Sequence, residues 1–193
     1  MASASSPSSV RWIAIITVAI ALFIAFFWRL DSIGLVDETE PLFAEASRQM
    51  YATGDWITPY FNGETRFDKP PLVYWGMALC FHIFGVGEWG VRLPSALAAA
   101  GLAGFSFYTL LRFGYSHGNK TADIANKQQA FTLAALVSAV AMGLHPETLV
   151  WARTGVSDML LSGCIGAALL CFFWGYAQES RWYYGFYLFI ALA

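Results

Sequence analysis

From Trp12 to Trp28 the chain runs for 17 residues without a charged side chain, and uncharged runs of 19 residues follow from Leu93 to Leu111 and from Met159 to Ala177. Crossing roughly 30 Å of hydrocarbon as a helix takes about 20 apolar residues, with about 17 as the lower limit. Inside lipid every backbone polar group must be satisfied by the segment itself, so such runs have to be helices. Ala130 to about Leu149 is a further candidate span, and a fifth begins at Trp182. The expected fold is therefore all-α, a polytopic transmembrane helix bundle. Trp28-Arg29-Leu30-Asp31 follows the first run instead of a small-residue cleavage site, so the first span is expected to stay as an anchor.

Composition agrees and excludes other classes. Hydrophobic residues make up 58% of the 193 and charged residues 12%, about half the charge of a soluble domain. A net charge of -2, with no Gly-rich phosphate loop, gives nucleic acid no surface to bind. Cys80, Cys164 and Cys171 all lie within apolar stretches, without paired spacing, and read as packing residues.

Orientation decides how Pro70 to Gly87 is read. This run is uncharged and hydropathy alone would make it a span, yet it opens with two prolines and carries His82. If it does not cross, Arg11, the Lys120/Lys127 connection after Arg112, and Arg181 share one side, as the positive-inside rule requires of the cytoplasm. Pro70 to Gly87 is accordingly expected as a helix or re-entrant piece in the outer interface, with the N-terminus cytoplasmic. The segment Asp37 to Lys69 and the connection Trp151 to Asp158 then share the extracytoplasmic face. Residues 1–9 are expected as a disordered cytoplasmic tail, Gly114 to Gln129 as a mobile loop, residues 10–193 as one membrane domain, and residues 30–92 as its outer loop.

That loop concentrates the chemistry. After Pro41, Leu42, Phe43, Ala46 and Met50 recur on one face, which predicts an amphipathic interfacial helix capped by Gly54. Asp37 and Glu38 fall just ahead of its N-terminus, where the helix dipole favours an ionised carboxylate by about 0.3–1 kcal/mol. The plainer reading of Asp37 to Glu40 is a helix cap. Asp68-Lys69 precedes a stiffening double proline, and Tyr74 and Trp75 offer an aromatic wall beside the lysine. Lys69 reads either as an interfacial anchor or as a point charge for a lipid phosphate. Asp158 opens an uncharged span, and its plain role is a cap or a salt bridge to Arg153. His145 reads as an interhelical residue before a metal ligand.

At these positions the chain resembles the membrane glycosyltransferases of the aminoarabinose-to-lipid A transferase and protein O-mannosyltransferase type, within the GT-C superfamily. The likeness runs through Asp37-Glu38, Ala46 to Met50, Gly54-Asp55-Trp56, Pro59, Asn62-Gly63, Lys69-Pro70-Pro71-Leu72, Tyr74-Trp75, Phe84-Gly85, Trp89, Arg92-Leu93-Pro94-Ser95 and Arg153 to Asp158. It covers most of Leu35 to Gly163 and corresponds to the N-terminal part of such proteins, so the chain is expected to be a fragment, inactive by itself. The resemblance implies transfer of one sugar from a polyprenyl phosphate carrier to a lipid or protein acceptor outside the cytoplasm, in the bacterial inner membrane. It places Asp37 as principal catalytic carboxylate, Asp158 as second acidic residue and Lys69 at the carrier phosphate. Glu38 would support Asp37, while Arg153, Tyr74 and Trp75 would bind substrate. No cofactor is implied as required. A divalent metal is an alternative, because the position of Asp68 is often Glu in the family and joins a metal site in some relatives; Asp68, shorter by one methylene, and His145 are the weak candidates.

A carboxylate at Asp37 suits the chemistry in its own right. A hydroxyl or amine is a weak nucleophile until a base accepts its proton, an effect of about 10²–10⁴ in rate. The departing phosphate needs a cation more than a strong acid. Two other classes compete: a transporter, which would place charge within the spans, and a non-catalytic lipid-binding assembly subunit.

Overall fold

A computed structural model describes residues 7–35, 39–113 and 124–193. The elements in order are α1 (Pro7–Phe26), α2 (Glu40–Thr53), a short hairpin of β1 (Tyr60–Phe61) and β2 (Glu64–Thr65), α3 (Leu72–Phe84), α4 (Glu88–Phe113), α5 (Ile124–Gly143), α6 (Pro146–Ala152), α7 (Ser157–Ala177) and α8 (Trp182–Leu192). The all-α expectation holds, with the hairpin as the exception. Helix begins at Pro7, inside the expected tail, and again at Ile124, inside the expected loop.

Of the expected spans, α4 and α7 are each long and apolar enough to cross a membrane. The run from Ala130 to Leu149 is not one straight helix. His145 takes an extended backbone (φ -60°, ψ 129°) ahead of Pro146, and the two pieces meet at 61°. The physical reason is local: a residue before proline is driven from the helical region, and proline has no N–H to continue the ladder. Arg11–Phe26 and Trp182–Leu192 are shorter apolar helices.

Small residues set the packing. Ala14, Val18, Leu22 and Phe26 form an i, i+4 stripe on α1 that meets Ala135 and Ala139 of α5 and Ala96, Ala99 and Ala103 of α4. Methyl-sized side chains let helices approach closely where lipid supplies no hydrophobic drive. On the other flank of α4, Gly163 and Gly166 of α7 face Ala98 and Leu102, and a Cβ on Gly166 would lie 2.5 Å from Leu102 Cδ1.

A second core builds the end of the bundle. Phe43, Ala46 and Met50 of α2 pack on Val73, Tyr74, Met77, Ala78 and Phe81 of α3, closed by Val91 and Val156. Phe43, Ala46 and Met50 of the expected amphipathic face are thus buried, together with Ser47, while Leu42 is only half-buried; Gly54 caps the helix with φ 74°, its N–H bonded to the Met50 carbonyl. The 13-residue α3 lies between α2 and the start of α4, with Gly76 against Pro94. The described residues of segment 30–92 meet segment 151–158 at this one end.

Candidate functional site

Arg92 and Glu40 join most of that end together. Arg92 Nε donates to Glu40 Oε1 at 2.8 Å and Nη2 to Oε2 at 3.0 Å. The other donors go to backbone carbonyls: Leu30 at 3.0 Å, Ile33 at 2.7 Å and Gly34 at 2.9 Å. Every guanidinium N–H is therefore spent. Glu40 Oε1 also accepts the Gly155 N–H at 2.7 Å. The side chains are only 6% and 1% exposed, and breaking such a buried pair costs about 3–5 kcal/mol because one charge is left uncompensated.

Arg153 is committed to structure as well. Its guanidinium donates to the carbonyls of Ala25 (3.1 Å), in the last turn of α1 where carbonyls lack helical partners, and of Trp28 (3.0 Å) and Arg29 (3.2 Å) just beyond it. The salt bridge to Asp158 considered from sequence is not formed. Arg153 and the Glu40–Arg92 pair, with Arg29, Ser32, Trp151 and Thr154, line a cavity of about 350 Å³.

Lys69 and Asp158 line a different cavity, of about 120 Å³, with Pro70, Leu72, Val73 and Leu161 among its walls. Pro70 and Pro71 deliver Lys69 to the start of α3, and Asp158 is in the first turn of α7. Both are exposed, neither is paired with another described group, and Asp158 makes no side-chain cap. A cation and a carboxylate with unspent hydrogen-bonding capacity face one space. Asp158 also borders a cavity of about 690 Å³ with Leu102, Met142, Glu147 and Trp151.

The remaining candidates are placed as follows. Asp37 and Glu38 lie outside the described residues; the flanking anchors are Gly34 and Glu40, both bonded to Arg92. Tyr74 is fully buried against Phe43, so it presents no wall to a ligand, while Trp75 remains 39% exposed and donates from Nε1 to the Trp56 carbonyl at 2.6 Å. Consecutive helical residues point about 100° apart, so the pair could not share a face. Burial first, and the charge of Asp68 second, push the Tyr74 phenol above its ordinary value, and its hydroxyl makes no hydrogen bond of good geometry. Asp68 accepts from Arg66 Nε at 2.9 Å, and the Arg66 guanidinium sits 5.3 Å from the Phe43 ring centre. Asp68 is thus held by an arginine, and His145 stands at the break before α6. Among the described residues no three His, Cys, Asp or Glu side chains gather to hold a metal.

Sequence reasoning singled out neither Glu40 nor Arg92 as site residues. The available signal was Arg92 itself, a charge one residue ahead of an apolar run, which must find a partner. Nothing in the spacing said that the partner would be the last residue of the acidic cluster.

Residues 68–193 match the family model for dolichyl-phosphate-mannose-protein mannosyltransferase. An undecaprenyl phosphate-alpha-4-amino-4-deoxy-L-arabinose arabinosyl transferase of Pseudomonas fluorescens is 32% identical over 142 residues, covering 73% of this chain and 25% of that protein. One from Aeromonas hydrophila is 41% identical over 87 residues, covering 44% of this chain and 16% of that protein. The crystal structure of ArnT from Cupriavidus metallidurans in the apo state superposes with TM-score 0.73 at 25% identity, over 95% of this chain and 32% of that one. The structure of ArnT bound to undecaprenyl phosphate shares the fold, with TM-score 0.70 at 24% identity over 93% of this chain and 30% of that one. The chain therefore spans about a quarter of the Pseudomonas transferase and about a third of the solved chains. With its membrane-length helices, its family match and its likeness to ArnT, the chain belongs to the dolichyl-phosphate-mannose-protein mannosyltransferase family of GT-C membrane glycosyltransferases, on the aminoarabinose transferase side of it.

Proposed function

We propose that this chain carries the donor-phosphate end of a glycosyltransferase that moves one sugar from a polyprenyl phosphate to a lipid or protein acceptor, on the extracytoplasmic face of the bacterial inner membrane. The observation that carries the reading is the cavity shared by Lys69 and Asp158, both unspent, at the end of the bundle. The relatives named as arabinosyl transferases and the relative bound to undecaprenyl phosphate support a polyprenyl-linked donor.

In this reading the acceptor oxygen or nitrogen attacks the anomeric carbon as the bond from that carbon to the phosphate oxygen breaks. Asp37 accepts the acceptor's proton, supported by Glu38, and the polyprenyl phosphate leaves as an anion stabilised by Lys69. Asp158, across the cavity from Lys69, orients the acceptor or the sugar. The attack inverts the anomeric centre.

The test is transfer of a radiolabelled sugar from polyprenyl phosphate by the full-length gene product in proteoliposomes. Asp37→Asn is expected to lower kcat by about 10²–10⁴. Lys69→Ala should weaken donor use and slow departure of the phosphate. Undiminished transfer by Asp37→Asn would remove the general-base assignment, and undiminished transfer by Lys69→Ala would remove the donor site from this cavity.

A further inference from the structure

We infer that Glu40 and Arg92 are positioning residues for the transfer site, a clasp that fixes the first turn of α7 and the chain on both sides of the acidic segment in one arrangement. The inference rests on the reading of the Lys69–Asp158 cavity as that site.

A plain ion pair would need only two of the guanidinium's five donors. Here the other three hold the carbonyls of Leu30, Ile33 and Gly34, a stretch without helix or strand that would otherwise have no regular bonding. The same carboxylate oxygen that meets Arg92 Nε also holds the Gly155 N–H, three residues ahead of Asp158. One buried pair thus ties the chain before residue 35, the start of α2, the start of α4 and the entry to α7. Charge-assisted bonds in a low-dielectric setting are short and directional, so they fix position and not merely proximity.

Stability alone does not explain the pair. A buried ion pair can often be replaced by apolar residues of similar volume without loss of stability. What such a replacement would lose is the aim of three separate carbonyls and one N–H. Transfer chemistry is sensitive to that: a misplacement of about 1 Å can cost about 10² in rate.

The experiment uses the full-length gene product in proteoliposomes, with Glu40→Gln, Arg92→Lys and the doubly apolar Glu40→Met/Arg92→Met variant. The folded fraction is measured by thermal unfolding. The expected result, for each variant that folds, is a kcat lowered about 10²-fold with the donor KM nearly unchanged. The double variant keeps the test decisive if either single change prevents folding. A folded double variant with wild-type kcat, or losses that only track the folded fraction, would overturn the clasp. So would a raised KM at unchanged kcat. If the unaltered protein transfers no sugar at all, the reading of the site fails, and the clasp is judged by structure instead. Nitroxides on Ile33→Cys and Thr154→Cys, in a background without the native cysteines, should then give dipolar spectra with a narrow inter-spin distance distribution that the clasp variants widen. Unchanged spectra would refute it.

Discussion

Gly155 shows how little room the site leaves. A Cβ there would lie 2.2 Å from Val91 Cγ1 and 3.1 Å from the Val91 carbonyl, while its N–H is bonded to buried Glu40. The backbone has no slack to move away without breaking that bond. Gly155→Ala is therefore expected to destabilise the protein by about 1–3 kcal/mol, the usual cost of overpacking, as a fall in the unfolding midpoint in detergent. An unchanged midpoint would mean that α4 and α7 part more easily than the packing indicates. Asp55 offers a test of a different kind. Its carboxylate accepts the N–H groups of Ile57 at 3.0 Å and Thr58 at 3.1 Å, and these bonds hold its pKa below the ordinary carboxylate value. A depressed folded pKa contributes stability above the unfolded pKa of about 3.9 and loses it as pH falls through the folded value. Amide exchange at Ile57 and Thr58, corrected for intrinsic rates, should lose protection only below that range. At this scale the sequence was partly legible. Unpaired charges stood out, because Lys69 and Asp158 border apolar runs; the partners of Arg153 did not, because they are backbone carbonyls at and just beyond the end of α1, which no residue pattern advertises.

Among the elements, the amphipathic α2 with its Gly54 cap could be read directly, since apolar spacing and a glycine stop are both local signals. The hairpin escapes a reading by alternation although Asn62-Gly63 is a strong two-residue turn signal; strands of two residues have too little alternation to register. Both turn residues have positive φ, 52° and 81°. Asn62→Val is expected to cost about 1–2 kcal/mol, the price of a left-handed backbone for a β-branched residue. Protease cleavage within Tyr60 to Thr65 should rise; cleavage equal to that of the unaltered protein would show that the neighbouring Arg66 to Pro59 bond holds the turn by itself. The break between α5 and α6 was legible only after the fact. Hydropathy rates a run by composition and is blind to one proline that bends it by 61°.

For the molecule as a whole, topology governs whether the chemistry faces the right compartment. The proposed orientation, drawn from charge placement, has the connection containing Asn119 in the cytoplasm and the hairpin outside. After replacement by cysteine in a background lacking Cys80, Cys164 and Cys171, a membrane-impermeant reagent applied from outside should label position 62 and spare position 119. Labelling of position 119 would reverse the orientation. The gathering of segments 30–92 and 151–158 at one end follows from α4 and α7 packing side by side, with α2 and α3 built on their starts. The sequence carried that result through charge asymmetry alone; it could not say which cavity would take Lys69 and Asp158 together. Photo-cross-linking tests that most directly. With a photoreactive phenylalanine analogue at Leu161, on the wall of the Lys69–Asp158 cavity, radiolabelled polyprenyl phosphate should form an adduct that Lys69→Ala abolishes, while the analogue at the exposed Phe131 of α5 should form none. Equal adducts at both positions, or an adduct at Leu161 indifferent to Lys69, would contradict the account.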